Sequence, residues 1–207
     1  MKTTNKMKLG VVLFEGFELL DAYGPMEMFG MCPDEIEITV LAREAGKVKS
    51  AQGPYGYADK AMEDCRQLDI LLIPGGIGTR QGAIDESFIA EIKRLAEISR
   101  YACTVCTGTI ILMKTGLLDG KRATTNKKRY KQVTGMRPSV NWVPAARWVE
   151  DGKYFTSSGV TAGIDMALAV IEKLFGKEKS LAVAANAEYE WHQDRDWDPF
   201  VRKEGLM

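Results

Sequence analysis

The sequence predicts an α/β fold with a mostly parallel central sheet and helices on both faces. Three observations carry this reading. Short continuous apolar runs, such as Leu9–Phe14 and Asp69–Ile73, have the length and character of strands buried on both sides. Longer segments with apolar residues at helical spacing separate these runs. The alternation persists through most of the 207 residues, with no repeat, low-complexity tract or linker to divide it. A single domain over residues 1–207 is expected, with the tail from about residue 192 peripheral.

Leu9-Gly-Val-Val-Leu-Phe14, bounded by Lys8 and Glu15-Gly16, reads as the first strand. Glu18 to Gly30 reads as a helix, with Leu19, Leu20, Tyr23, Met26 and Phe29 near the 3.6 period. Pro25 should kink that helix or mark its true start. Ile36–Ala42 is the second strand, and the glycine-rich stretch 45–60 reads as a hairpin or paired short strands. Asp69–Ile73 is the next buried strand, closed by the tight loop Pro74-Gly-Gly-Ile-Gly78. Asp85 to Ser99 is a helix, with Asp85 or Ser87 as its N-cap.

Tyr101–Val105 is a strand, and Thr107–Thr115 a helix closed by Gly116. Arg122–Thr125 is a short strand, followed by the basic run Lys127–Lys131, read as a solvated helix face. Ala146–Val149 and Lys153–Thr156 flank Asp151-Gly152, a hairpin signal. Val160–Phe175 is a helix ended by Gly176, and a second helix is expected from about Lys177 to Trp191.

Composition narrows the function classes. The 28 Lys+Arg balance the 28 Asp+Glu, so no global charge attracts nucleic acid or an anionic membrane. The single histidine, His192, excludes any site that needs two, such as an HExxH metal centre. Four cysteines are too sparse for a disulfide framework. Residues 1–14 lack the long apolar region of a leader, and no apolar stretch reaches the roughly 18 residues of a spanning helix. A cytoplasmic protein acting on a small molecule is expected, with no nucleic-acid or membrane partner, no metal and no cofactor.

The chemistry concentrates in Tyr101-Ala-Cys-Thr-Val-Cys-Thr-Gly108. A strand pattern gives way to a helix pattern at Cys106, and Gly108 follows two residues later. This is the shape of a nucleophile elbow, which presents a side chain at the carboxyl end of the sheet beside free N–H groups. A thiol there is expected to have a lowered pKa. The glycine usual two residues before the nucleophile is replaced by Thr104. Core packing is the bland reading of Cys32, Cys65 and Cys103, and a Cys103–Cys106 redox pair is poorly placed.

Glycines at 75, 76 and 78 would let backbone N–H groups approach a ligand, as an oxyanion hole requires; a strand-terminating turn is the alternative. No G-x-G-x-x-G follows the first strand, so a dinucleotide is not expected. Asp21 lies in an apolar run, either as a helix cap or as a buried proton donor. His192 could pair with the thiol only if the tail folded over it; otherwise it serves at the surface or in a protein contact.

Taken together, these motifs resemble the ThiJ/PfpI superfamily, and within it the isocyanide hydratase-like branch. The resemblance rests on Leu13-Phe-Glu-Gly-Phe-Glu-Leu-Leu-Asp21, Gly24-Pro25, Leu72-Ile-Pro-Gly-Gly76, Val105-Cys-Thr-Gly108, Gly116–Gly120 with Arg122–Thr125, and Ser157–Asp165. It implies a flavodoxin-like sandwich and a homodimer. It also implies Cys106 as nucleophile, Asp21 as the acid that approaches it, and N–H groups of Gly76 and Thr107 as an anion pocket. Gly75 and Ile77 of the same loop join the substrate-binding set. Thr107 stands where peptidase-like members carry histidine, and Asn126 follows Thr124-Thr125 where many relatives carry histidine. The implied activity is hydration of an isocyanide to an N-formamide. Glyoxalase or deglycase chemistry, redox sensing without turnover, and ligand binding are the alternatives.

Overall fold

Leu9, Val11 and Leu13 pack into one apolar core and Val12 into another, so the first strand is buried on both faces. The computed structural model describes residues 6–207. The first five residues, part of the segment read as lacking a leader, lie outside the described residues.

The first strand, β1 (Met7–Val12), is followed by α1 (Leu19–Gly30), β2 (Ile36–Ala42), and the antiparallel pair β3 (Gly46–Lys49) and β4 (Tyr55–Ala58). Then come β5 (Lys60–Ala61), β6 (Ile70–Ile73), α2 (Thr79–Gly82), α3 (Glu86–Ile98), β7 (Tyr101–Thr104) and α4 (Gly108–Lys114). The last third holds β8 (Arg122–Ala123), α5 (Tyr130–Met136), β9 (Asn141–Trp142), β10 (Trp148–Asp151) and β11 (Tyr154–Ser157). It closes with α6 (Ala162–Phe175), α7 (Lys177–Asn186) and α8 (Phe200–Lys203).

The main sheet has the order β10-β11-β7-β6-β1-β2-β5. All its pairs are parallel except the β10–β11 hairpin, so the expected α/β class holds. One face packs against α1 and α6 through Phe17, Phe29, Met166 and Ile171. The other packs against α3 and α4 through Ile92, Leu95, Ile111 and Leu112. Asp85 caps α3 as expected, its Oδ1 accepting the Phe88 N–H at 3.0 Å.

Several boundaries differ from expectation. Helix α1 starts six residues before Pro25 and runs through it, so Pro25 does not mark the start. Gly24 and Gly163 explain why small residues stand there. A Cβ on Gly24 would lie 2.8 Å from Ile164, and one on Gly163 would lie 3.2 Å from the Pro25 ring, so α1 and α6 cross closely. Strand β8 stops at Ala123, because Thr124 and Thr125 turn their hydroxyls to the carbonyls of Val143 and Cys106.

Helix α7 ends at Asn186, not near Trp191. The chain leaves through Glu188 at φ 49° and folds back on Asp165. There the Tyr189 hydroxyl and the His192 N–H reach Oδ1 of Asp165, and the Trp191 indole N–H reaches its carbonyl. The tail expected at the periphery contributes fully buried Asp198 and Val201. Asp198 N–H donates to the Ala145 carbonyl at 2.7 Å, and Asp198 faces Arg147, which is also paired with Asp165 at 2.6 Å.

The basic run is not a uniformly solvated face. Lys127 is buried, with Nζ donating to Thr124 Oγ1 and to the Ala146 carbonyl. Burial lowers its pKa to about 8. Lys128 and Arg129 remain exposed.

Candidate active site

Strand β7 ends at Thr104, and two residues later Cys106 takes φ 59°, a left-handed conformation that costs energy outside glycine. The surroundings hold it there. Its N–H donates to the Ser158 carbonyl at 3.0 Å, and its carbonyl accepts the Thr125 hydroxyl at 2.8 Å. The next helix starts at Gly108, where a Cβ would lie 2.4 Å from the Ile73 carbonyl oxygen, so only glycine lets the elbow sit against the end of β6. Thr104 is tolerated before the elbow because its hydroxyl pairs with that of Thr109 at 2.8 Å, deep in the fold.

The loop after β6 brings the acid to the thiol. Gly76, at φ 127°, pairs with Phe17 across the loop after β1, and Glu18 N–H donates to the Gly75 carbonyl at 2.8 Å. A Cβ on Gly76 would lie 2.3 Å from the Gly16 carbonyl oxygen, so a side chain would separate the loops. Held in this way, α1 directs Asp21 inward. Its Oδ2 accepts the Gly75 N–H at 2.9 Å, and its Oδ1 is buried without a well-formed hydrogen bond. The Cys106 thiol lies near the carboxyl, and each group shifts the other's pKa without a formed hydrogen bond between them.

Charge is costly on both groups. Burial raises the Asp21 pKa to about 8, and the charge of Glu18 adds to this; the Gly75 N–H and the Cys106 thiol oppose it. Burial likewise pushes the Cys106 thiol up, with the Asp21 charge adding. The Thr107 N–H, the Asn126 amide and the Thr107 hydroxyl oppose that rise. The low thiol pKa expected from the elbow is therefore corrected: removal from water outweighs the donors around the sulfur. At neutral pH both groups are held protonated.

The structure brings Asp21, Gly75, Gly76, Cys106 and Thr107 together. A Cβ on Gly75 would lie 2.7 Å from Asp21 Oδ2, from the Thr107 nitrogen and from Thr107 Oγ1 alike. The Gly75 N–H is engaged by Asp21, and the Gly76 N–H donates to Thr107 Oγ1 at 3.0 Å. Of the two N–H groups expected in an anion pocket, that of Thr107 faces the sulfur and that of Gly76 is covered by a hydroxyl. Ile77 is exposed at the rim.

Asn126 was missed as a partner of the thiol. Its Nδ2 donates to Cys106 Sγ at 3.1 Å, while its Oδ1 accepts the Arg129 N–H at 3.1 Å. Gly159 makes room for that amide, since a Cβ there would lie 2.2 Å from Nδ2. The signal was available: a polar side chain stands two residues beyond Thr124, directly before the basic run.

His192 does not join the site; its Nε2 pairs with the Trp197 carbonyl at 3.1 Å and its N–H with Asp165. All four cysteines are free thiols, and Cys103 lies in the core, its pKa pushed up to about 12 by burial. Above Cys106 opens a cavity of about 210 Å³, walled by Ile77, Ile110 and Val133 and rimmed by Arg80, Lys128 and Arg129. A larger cavity of about 370 Å³ lies between Phe14, Val48 and Phe88, and no cysteine lines it.

Comparison with known proteins gives a consistent picture. The family model described as the DJ-1/PfpI family matches residues 7–173. A protein named isonitrile hydratase, from Pseudomonas putida, is 34% identical over 184 residues, 88% of this chain and 78% of that protein. The solved structure of a ThiJ/PfpI family protein from Pseudomonas syringae superposes with a TM-score of 0.82 at 28% identity, covering 91% of this chain and 77% of that one. Drosophila melanogaster DJ-1beta superposes with a TM-score of 0.77 at 22% identity, covering 90% and 100%.

Proposed function

The chain belongs to the DJ-1/PfpI family, and from that premise we propose that it is a cysteine-dependent hydratase converting an isocyanide to the N-substituted formamide. The observation that carries this reading is the buried Asp21 carboxyl, held by the Gly75 N–H in the loop that meets Thr107 beside Cys106, in a chain 34% identical to an isonitrile hydratase. Glu18, the other acid near the elbow, has its Oε1 taken by the Gln52 amide at 2.5 Å.

The steps follow from these groups. Sγ of Cys106 attacks the terminal isocyanide carbon and forms the S–C bond. The thiol proton passes by way of Asp21 to that same carbon, giving a thioimidate. Water then adds to the carbon, and its proton goes to nitrogen. Cleavage of the C–S bond releases the formamide and restores the thiol. The Thr107 N–H and the Asn126 amide stabilise negative charge on sulfur as the bond forms and breaks. The sum is one isocyanide plus one water to one formamide, with no cofactor.

Burial of the thiol counts against a redox sensor, which calls for an accessible low-pKa sulfur. We further propose a homodimer through the exposed Leu20 and Tyr23 of α1 and Tyr55 and Tyr57 of β4. A reducing cytoplasm fits four unpaired thiols, and among the described residues no helix is long and apolar enough to cross a membrane.

The test is direct: incubate the protein with cyclohexyl isocyanide and follow N-cyclohexylformamide by chromatography. Catalytic accumulation supports the reading, and a rate equal to the buffer control removes it.

A further inference from the structure

Resting on the hydratase reading of the same cavity, we infer that the substrate carries an anionic group, a carboxylate being the simplest, on a compact apolar body. The chain as a whole balances 28 cations against 28 acids, but the cavity over Cys106 does not share that balance. Arg80 reaches it from α2, and Lys128 and Arg129 from the turn before α5.

None of these three cations has an ion-pair partner among the described residues. The one acid lining the cavity, Glu18, is hydrogen-bonded to the Gln52 amide. Three unpaired cations against one acid set a positive potential at the mouth of the recess.

The deeper wall is apolar. Ile110 and Val133 are buried, and Met136 is exposed at the rim. The volume of about 210 Å³ is below that of a drug-sized pocket, so the body is small. With the electrophilic carbon at Sγ, an apolar body lies along Ile110 and Val133, and the anionic end emerges among Arg80, Lys128 and Arg129.

Alkylation of Cys106 tests the anion preference without requiring turnover. Iodoacetate and iodoacetamide form the same S–CH2 bond with loss of iodide, but only the first is an anion. Rates are measured on the whole chain, with Cys106 identified by peptide mass spectrometry and N-acetylcysteine as the reference thiol. The iodoacetate-to-iodoacetamide ratio is expected to exceed that of the free thiol about tenfold at low salt. It should fall toward the free-thiol ratio in high salt and in the Arg80→Gln, Arg129→Gln double variant, whose fold is checked by thermal melting. A ratio equal to that of the free thiol overturns the inference. So does an elevated ratio that neither salt nor the substitutions change, and so does failure of both reagents to reach Cys106.

A second arm compares 4-isocyanobenzoate with its methyl ester, and kcat/KM should favour the acid about tenfold. Equal turnover of the two overturns the anionic substrate and leaves the hydratase reading intact. Turnover of neither removes the hydratase reading, while the alkylation ratio still decides the anion preference.

Discussion

The side-chain amide of Asn126 stands with Nδ2 3.1 Å from Cys106 Sγ, while its Oδ1 accepts the N–H of Arg129. The amide therefore cannot turn its oxygen to the sulfur without giving up the turn behind it. It presents a fixed donor to the sulfur. A neutral amide holds no exchangeable charge, so in the proposed reaction the proton is carried by Asp21.

Asn126→Ala removes a donor to sulfur. Hydrogen bonds to charged groups contribute about 1.5–3 kcal/mol, so kcat should fall on the order of 10- to 100-fold. The thiol pKa should rise further, because one of the groups holding it down is gone. The rise is read as slower alkylation of Cys106 by iodoacetamide at fixed pH; an unchanged alkylation rate with reduced activity would mean that Asn126 acts on something else.

Asp21 predicts how stability varies with pH. Its folded-state pKa is raised from 3.8 to about 8. Between those values the folded chain holds a proton that the unfolded chain has lost, so stability falls as pH rises from about 4 to 8. The loss is of the order of a few kcal/mol. Asp21→Asn should flatten this slope and melt above wild type at pH 8. Equal slopes in urea titrations of the two proteins would contradict the buried acid.

Gly75→Ala places a Cβ 2.7 Å from Asp21 Oδ2 and from two Thr107 atoms. Overpacking of this kind costs about 1–3 kcal/mol, and turnover should be abolished because the acid and the elbow are pushed apart. Gly135→Ala is the control. It lies in α5 with nothing within 4 Å of the added carbon, and alanine there should stabilise by about 0.5–1 kcal/mol. Equilibrium urea unfolding measures both.

Arg147 is buried between Asp165 and Asp198 and ties the tail to the sheet. Arg147→Ala leaves two buried acids without their cation, and breaking such a set costs about 3–5 kcal/mol. Chemical denaturation should show a loss of that order, together with protease sensitivity after Trp191. A loss under 1 kcal/mol would mean that the tail is held by its apolar contacts alone.

Tyr57→Asp tests the self-association face. Sedimentation velocity should give a dimer for wild type and a monomer for the variant. A wild-type monomer at the same concentration would remove the homodimer.

The sheet was legible because burial on both faces leaves one-dimensional traces: Leu9–Phe14 and Ile70–Ile73 are continuous apolar runs, and Asp151-Gly152 marks its hairpin. The elbow was legible because the change of period at Cys106 and the glycine at 108 follow from local geometry. Elements held by distant partners were not. Lys127 reads as a surface lysine until the Ala146 carbonyl is seen to meet it, and α7 ends early because Asp165, more than twenty residues before the tail, collects Tyr189 and His192. The thiol pKa was misread for a related reason, since desolvation depends on everything packed around Cys106 and leaves no mark in its neighbours along the chain.

The central claim is that Cys106 and Asp21 together hydrate an isocyanide. It is tested most directly by the steady-state rate of N-cyclohexylformamide formation by wild type, Cys106→Ala and Asp21→Asn, each verified as folded. Wild type should turn over, Cys106→Ala should not, and Asp21→Asn should lose about 100-fold or more. Turnover retained by Cys106→Ala, or an Asp21→Asn rate equal to wild type, would contradict it.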